Sequence, residues 1–275
     1  MIVELKQDEY KRVLPIIKGI NNPVIGGVVG QNNRGKVFVD QYENPTTAFI
    51  WATNEMFFLC GNHLNDEFNH TLEKFVVEKI KEEALSTGDD GFNLELYPRN
   101  LWEPKIHSIF KNNKLLMGER VPFDFDELTF NQSSQTSIPS PYKCIKISPK
   151  LLEEDSSNIV AEEILKFWPT TSSFFEKGLG YSVLYNDQVV GTCIGVYVSG
   201  VDVEIGINTY STEHRGKGLA SIMAFDFIKD CLRNGLIPHW TTESFRLDSI
   251  RIAEKFGFIK QENYTVYHLP FALFK

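Results

Sequence analysis

The sequence predicts an α+β protein: a mixed sheet with flanking helices in its C-terminal half, preceded by a smaller α+β N-terminal lobe. Three observations predict it. The 275 residues suffice for two ordinary domains. Both halves hold strand-length runs followed by helical periodicity, and a polar, proline-bearing stretch lies between them.

In the first half, residues 36–39, 48–53 and 56–59 read as short strands, with a turn at Asn44-Pro45, and form an antiparallel meander. From 68 to 85 the apolar residues Phe68, Leu72, Phe75, Val76 and Ile80 recur at three-and-four spacing, an amphipathic helix that packs on the meander. A strand at 92–97 and a helix at 102–110 follow. The stretch 131–141 (NQSSQTSIPSP) buries little and places the lobe boundary, giving lobes 1–135 and 143–275.

In the second half a strand at 144–147 precedes Ser148-Pro149, a helix start with serine as cap and proline in the first position. Helical segments run to about Trp168, and Ser172 and Ser173 cap a further short turn. Three antiparallel strands come next, at 181–185, 189–198 and 201–209, joined at Asn186-Asp187 and Ser199-Gly200. A helix then begins near Gly216, shows Leu219, Ile222, Met223, Phe227 and Cys231 on one face, and stops at Asn234-Gly235. A strand at 238–242, a helix at 247–256 and a strand at 264–269 complete the chain.

Composition narrows the function. Hydrophobic residues make up 42% of the chain, enough to build cores. A net charge of −8 repels a phosphate backbone, so nucleic acid is not expected as a partner; the same charge suits a cationic acceptor. Cys60, Cys144, Cys193 and Cys231 are far apart and show no metal-ligand spacing, so no metal is expected. The N-terminal residues lack a signal-peptide pattern, and no window approaches 18 apolar residues, so a cytoplasmic protein without membrane contact is expected.

The motif that carries chemistry is Glu204-Ile205-Gly206-Ile207-Asn208-Thr209 followed by Glu213-His214-Arg215-Gly216-Lys217-Gly218-Leu219-Ala220. It sets two glycines and two cations where a strand and loop pass into a helix, which is an anion site: free N–H groups and the helix dipole attract a phosphate, and glycine lets it approach. A dinucleotide fingerprint fits poorly, because Ser221 stands at its third glycine and the preceding strands are hairpin-connected. An ordinary glycine-containing helix start remains the plain alternative.

The run Arg215 to Ala220 resembles the GNAT superfamily of acyltransferases, whose signature is glutamine or arginine, two residues, glycine, one residue, then glycine or alanine. Gly216 and Gly218 match it; Glu213 departs from its first position. Ser249-Ile250-Arg251-Ile252-Ala253-Glu254-Lys255-Phe256-Gly257-Phe258 looks like the superfamily's closing helix and Gly-Phe stop. Residues 174–181 (FFEKGLGY) and Pro238-His239-Trp240 are similar to a bacterial subfamily that includes the zwittermicin A resistance acetyltransferases.

The resemblance implies an acetyl-CoA-dependent N-acetyltransferase acting on a primary amine of a small molecule. It also implies that backbone amides of Arg215, Gly216, Lys217, Gly218, Leu219 and Ala220 hold the coenzyme A pyrophosphate, with His214 in the same turn adding a side-chain donor or standing in solvent. Ile207, Asn208 and Thr209 would pair with the pantetheine arm like an added strand, and Ser249 would lie near it. Glu204 is the candidate general base, matched against a structural or substrate-binding carboxylate. A backbone amide near Asn208 would polarise the thioester. Ala253 stands where many members carry tyrosine and Arg246 where asparagine is usual, which keeps a second function in view, a non-catalytic acyl-CoA-binding sensor or interaction protein. Oligomeric state leaves no trace in the sequence.

Overall fold

The computed structural model describes residues 2–275, which fall into two compact units, residues 2–119 with Thr265–Lys275, and Arg120–Tyr264. The first unit opens with β1 (Val3–Glu4), α1 (Leu14–Ile17) and α2 (Pro23–Val29); Asn22 caps α2 by accepting from the amides of Val24 and Ile25. The predicted meander follows as β2 (Gly35–Val39), β3 (Thr47–Ala52) and β4 (Met56–Gly61), with Phe38 opposite Phe49 and Phe49 opposite Leu59.

The helix expected at 68–85 is instead three pieces: α3 (Asp66–Phe75), a π-helical turn at Val76–Ile80, and α4 (Lys81–Ser86). Spacing explains the break. Its fully buried residues are Phe68, Leu72, Val76, Ile80 and Ala84, four apart throughout. A straight α-helix would rotate such a stripe by about 40° per step. The wider π turn takes up part of that drift and keeps the stripe on the sheet. β5 (Gly91–Tyr97) then lies parallel to β4, followed by α5 (Arg99–Ile109) and β6 (Leu116–Phe125).

The second unit takes over within β6. It contains α6 (Glu127–Gln132), β7 (Tyr142–Lys146), α7 (Pro149–Glu154), α8 (Ile159–Phe167) and α9 (Thr171–Lys177). Ser148 caps α7 as expected. For α9 the cap is Thr170, paired reciprocally with Ser173. β8 (Gly180–Tyr185), β9 (Gln188–Ser199) and β10 (Asp202–Thr209) are the three predicted antiparallel strands. After α10 (Leu219–Arg233) comes β11 (Ile237–His239), parallel to β10, giving the order β7-β8-β9-β10-β11. β12 (Thr241–Glu243), α11 (Leu247–Lys255), β13 (Phe258–Lys260) and β14 (Tyr264–Pro270) complete the fold.

The lobe boundary expected at 131–141 falls inside the second unit, because the two halves of the chain trade a strand. Residues 120–125 of β6 pair with β12 and β13 (Thr242 opposite Val121, Phe258 opposite Phe125), while residues 267–270 of β14 pair with β5. Phe271 and Phe274 fill the first unit's core, packing on Phe92 at 6.1 and 5.5 Å between ring centroids. β6 escapes sequence reading because Gly118 and Pro122 interrupt it and charged residues line it.

Two outcomes are expected. Fragments split at residues 136/137 will each lack a sheet strand and be insoluble or unfolded by circular dichroism alone, whereas co-expression will recover a folded pair. The second concerns Asp226 on α10, whose carboxyl is raised above its ordinary value by burial, against the lowering effects of Cys144, Lys229, Gln135 and Arg233. The native state therefore holds this proton more tightly, and stability falls as pH rises from the unfolded value of 3.8 through the raised native one. Asp226→Asn, which keeps the acceptor for Gln135 Nε2, should raise Tm at pH 7 and lose that advantage below pH 3.8 in differential scanning calorimetry.

Candidate active site

The second unit contains an opening in its sheet. β10 and β11 pair on only three rungs, Asp202 with Ile237, Val203 with Pro238 and Glu204 with His239. Beyond them β10 runs on through five residues to Thr209, while the other strand turns at Trp240 and continues as β12 in a different pairing, with β6. The single strand expected at 238–242 is thus two strands that part company. Five residues leave about 16 Å of β10 edge without a strand neighbour on that side.

A bulge marks the same place. Between Glu204 and Ile205, β9 advances two residues, Tyr197 to Gly195, while β10 advances one. Such an irregularity bends and twists its strand. Gly206 is required just after it, because a Cβ there would lie 2.3 Å from Val196 Cγ1. Glu204 is buried at the base of the opening, whereas Ile207, Asn208 and Thr209 are half-buried along the open edge.

The glycine turn follows directly. Arg215 Nε donates to the carbonyl of Thr209 at 3.1 Å, closing the loop back onto the strand end. Gly216 and Gly218 take φ of 71° and 76°, the left-handed region in which a side chain is strained. The helix begins at Leu219, three residues later than expected, and its first internal bond runs from Ile222 N to Gly218 O. The amides of Leu219, Ala220 and Ser221 precede that bond, no side chain caps them, and the first turn holds no acid. Arg215, Gly216, Lys217 and Gly218 are exposed. Uncapped donors at the positive end of a 15-residue helix, beside Lys217, suit a pyrophosphate.

His214 serves differently from the expected side-chain donor. Its ring is buried, with Nδ1 2.9 Å from Tyr142 Oη, Nε2 3.3 Å from Glu213, and Tyr185 at 5.1 Å between centroids. It therefore anchors the turn to β7 and β8. Ser249 on α11 accepts from Trp240 Nε1 at 3.0 Å, which ties that helix to the point where the strands diverge. Ala253 is fully buried and offers no acid. His239 Nε2 lies 2.7 Å from Asp202 Oδ1.

The first unit repeats the order of strands and helices without these features. β4 and β5 pair on four rungs, from Phe57–Leu94 to Cys60–Tyr97, nearly to the end of β4. The turn after β4 carries no paired glycines; Asn65 caps the amide of Phe68, and Asp66 and Glu67 occupy the first turn of α3, where they repel an anion. Among the described residues, only the second unit combines an open strand edge with an uncapped glycine turn. His214→Ala should lower Tm by an amount equivalent to about 1–3 kcal/mol, since it leaves Tyr142 Oη without its buried partner.

Comparison with known proteins bears on the fold and the family. The chain is 26% identical over 270 residues to an uncharacterised N-acetyltransferase, YdfB, of Bacillus subtilis (strain 168), covering 98% of each chain. Its fold is similar to the crystal structure of a GCN5-related N-acetyltransferase-like protein from Streptococcus suis 89/1591, with TM-score 0.71, 22% identity and coverage of 94% of this chain and 98% of that one. It is also similar to a tandem GNAT protein from the clavulanic acid biosynthesis pathway, with TM-score 0.58, 11% identity and 98% coverage of both. Both units are GNAT-like lobes. A family model described as GNAT acetyltransferase matches residues 14–267, so the chain belongs to the GNAT acetyltransferase family and is an acyltransferase.

Proposed function

We propose that this acyltransferase moves the acetyl group of acetyl-CoA directly to a primary amine of a small molecule, in the cytoplasm, with the second unit as its catalytic lobe. One observation carries the reading: the open edge of β10, the uncapped glycine turn at its end and the buried Glu204 at its base occur together in that unit and in neither part of the first.

Acetyl-CoA binds here as a substrate. Amides of residues 216–220 hold its pyrophosphate, those of His214 and Arg215 being donated already to the carbonyls of Ser211 and Thr212, and the backbone of Ile207, Asn208 and Thr209 pairs with the pantetheine arm as a further strand would. The thioester then lies toward the base of the opening, where a backbone amide near Asn208 stabilises the developing oxyanion. Glu204 removes a proton from the acceptor amine so that nitrogen attacks the thioester carbon. The leaving thiol has an intrinsic pKa of about 8.5 and departs without a dedicated acid. The net charge of −8 and the acidic pair Asp202 and Glu204 favour a cationic acceptor. The resemblance of residues 174–181 and Pro238-His239-Trp240 to zwittermicin A resistance acetyltransferases favours an amine-bearing small molecule, antibiotics included.

The test is thiol release from acetyl-CoA with a panel of polyamines, aminoglycosides and aminopolyols. Glu204→Gln should lower kcat/KM by about 10²–10⁴-fold with the acetyl-CoA Kd unchanged in calorimetry. Gly218→Val, which forces a branched residue into the left-handed region and covers the phosphate approach, should weaken acetyl-CoA by about tenfold or more, roughly 1.4 kcal/mol. Tight coenzyme binding with no turnover on any amine, or a Glu204→Gln enzyme of full activity, would sink the corresponding part of the reading.

A further inference from the structure

We infer that Asp202 and His239 form, with Glu204, a proton exit route for the transfer reaction, an inference that rests on the acetyl-transfer reading above. Glu204 and His239 face each other on the last rung that β10 and β11 share, and Asp202 lies two residues before Glu204 on β10. Partners across a strand pair, and residues two apart on one strand, project to the same side of a sheet. Asp202, Glu204 and His239 therefore occupy one side, where the strands diverge. Val203 and Pro238, both buried, take the other. The remaining ionisable group in that row is Tyr197, buried opposite Glu204 on β9.

His239 is held through one ring nitrogen. The 2.7 Å contact from Nε2 to Asp202 Oδ1 places the ring hydrogen on Nε2 and leaves the lone pair on Nδ1, which has no partner among the described residues. A histidine that merely tied β10 to β11 could stand on any of the three rungs. This one stands on the rung of the buried carboxylate.

The chemistry requires an outlet. An amine acceptor arrives as an ammonium, and forming the amide and the free thiol releases one proton per turnover. When Glu204 takes a proton from the nitrogen it becomes a neutral acid, and at 6% exposure it has little direct access to water. His239 is half-buried, with 22% of its side chain exposed. The Glu204 proton passes to Nδ1, directly or through a water; the imidazolium is stabilised by Asp202 through Nε2, then loses the Nδ1 proton to solvent, and Glu204 returns to the carboxylate. Asp202 is a positioning residue: it fixes the tautomer and the ring plane.

Nitrogen-15 spectra of histidine-labelled protein test the route without an acceptor, with His239→Gln identifying the His239 signals. The wild type should show the Nε2-protonated tautomer. Glu204→Gln should change the His239 Nδ1 chemical shift at fixed pH, because the neighbouring carboxylate is lost. Asp202→Asn should abolish the tautomer preference. An unchanged His239 Nδ1 signal in Glu204→Gln, or the opposite tautomer, overturns the inference. Kinetics add an independent check with whichever amine of the panel turns over: His239→Gln and Asp202→Asn should each lower kcat about tenfold and alter the pH profile, with acetyl-CoA affinity preserved, and Glu204→Gln/His239→Gln should be no slower than Glu204→Gln alone. Additive losses in the double variant count against a shared route. Absence of turnover on every amine removes the acetyl-transfer reading while the spectra still report whether the three groups are coupled.

Discussion

The second unit is organised around the loss of one strand partner. β10 is held by β11 for three residues and then continues with only β9 beside it. A backbone amide or carbonyl that is buried without a partner costs about 1–3 kcal/mol. An edge such as residues 205–209 is therefore stable only when wet or when another hydrogen-bonding chain covers it. The peptide-like thioester arm of the proposed substrate would satisfy that demand, and the same opening sets the position of Glu204 at its base and of the glycine turn at its end. Trp240 secures the divergence: 5% exposed, it packs on Phe258 at 5.4 Å and holds Ser249.

The first unit shows what the same order of elements does without that opening. Its sheet is filled by a stack of aromatics, with Phe57 against Phe49 at 5.4 Å and against Trp51 at 5.6 Å, and its strand-to-helix turn is closed by Asn65. Rung for rung the parallel pair β4–β5 is longer than β10–β11, so β4 keeps its neighbour nearly to its end. Two lobes of like topology thus differ in a few local choices: an asparagine cap against two left-handed glycines, acidic first-turn residues against a lysine, and a strand that stays paired against one that leaves.

Much of this was legible from residue patterns. Alternation in 36–60 and 181–209 located six strands correctly, and Gly216 and Gly218 located the left-handed turn that leads into α10, because local chemistry alone dictates those features. What escaped was non-local. The strand at 116–125 carries a proline and a glycine, and its pairing with β14, β12 and β13, all distant in sequence, makes it a strand. The four-residue spacing of 68, 72, 76, 80 and 84 held the signal of a π turn that a simple helical reading smooths over. The burial of His214 against two tyrosines depends on the register of β7 with β8, and no spacing in the sequence announces it. Nor does any motif mark the pairing of Asp202 with His239, which stand 37 residues apart in the chain.

The traded strands make the order of synthesis matter. Chains emerge at about 5–20 residues per second, and N-terminal domains commonly fold before the rest is made. Here the first unit cannot complete its sheet or fill its core until residues 265–275 have appeared, although its other elements are finished by about residue 119. The exposed edge of β5 and the aromatic cluster around Phe92 wait meanwhile for Phe271 and Phe274. A ribosome that stalls late, or a lesion that removes the last dozen residues, would therefore leave the unit made first as the one unfinished, and a chaperone's work on this chain would centre on its beginning until its end is released.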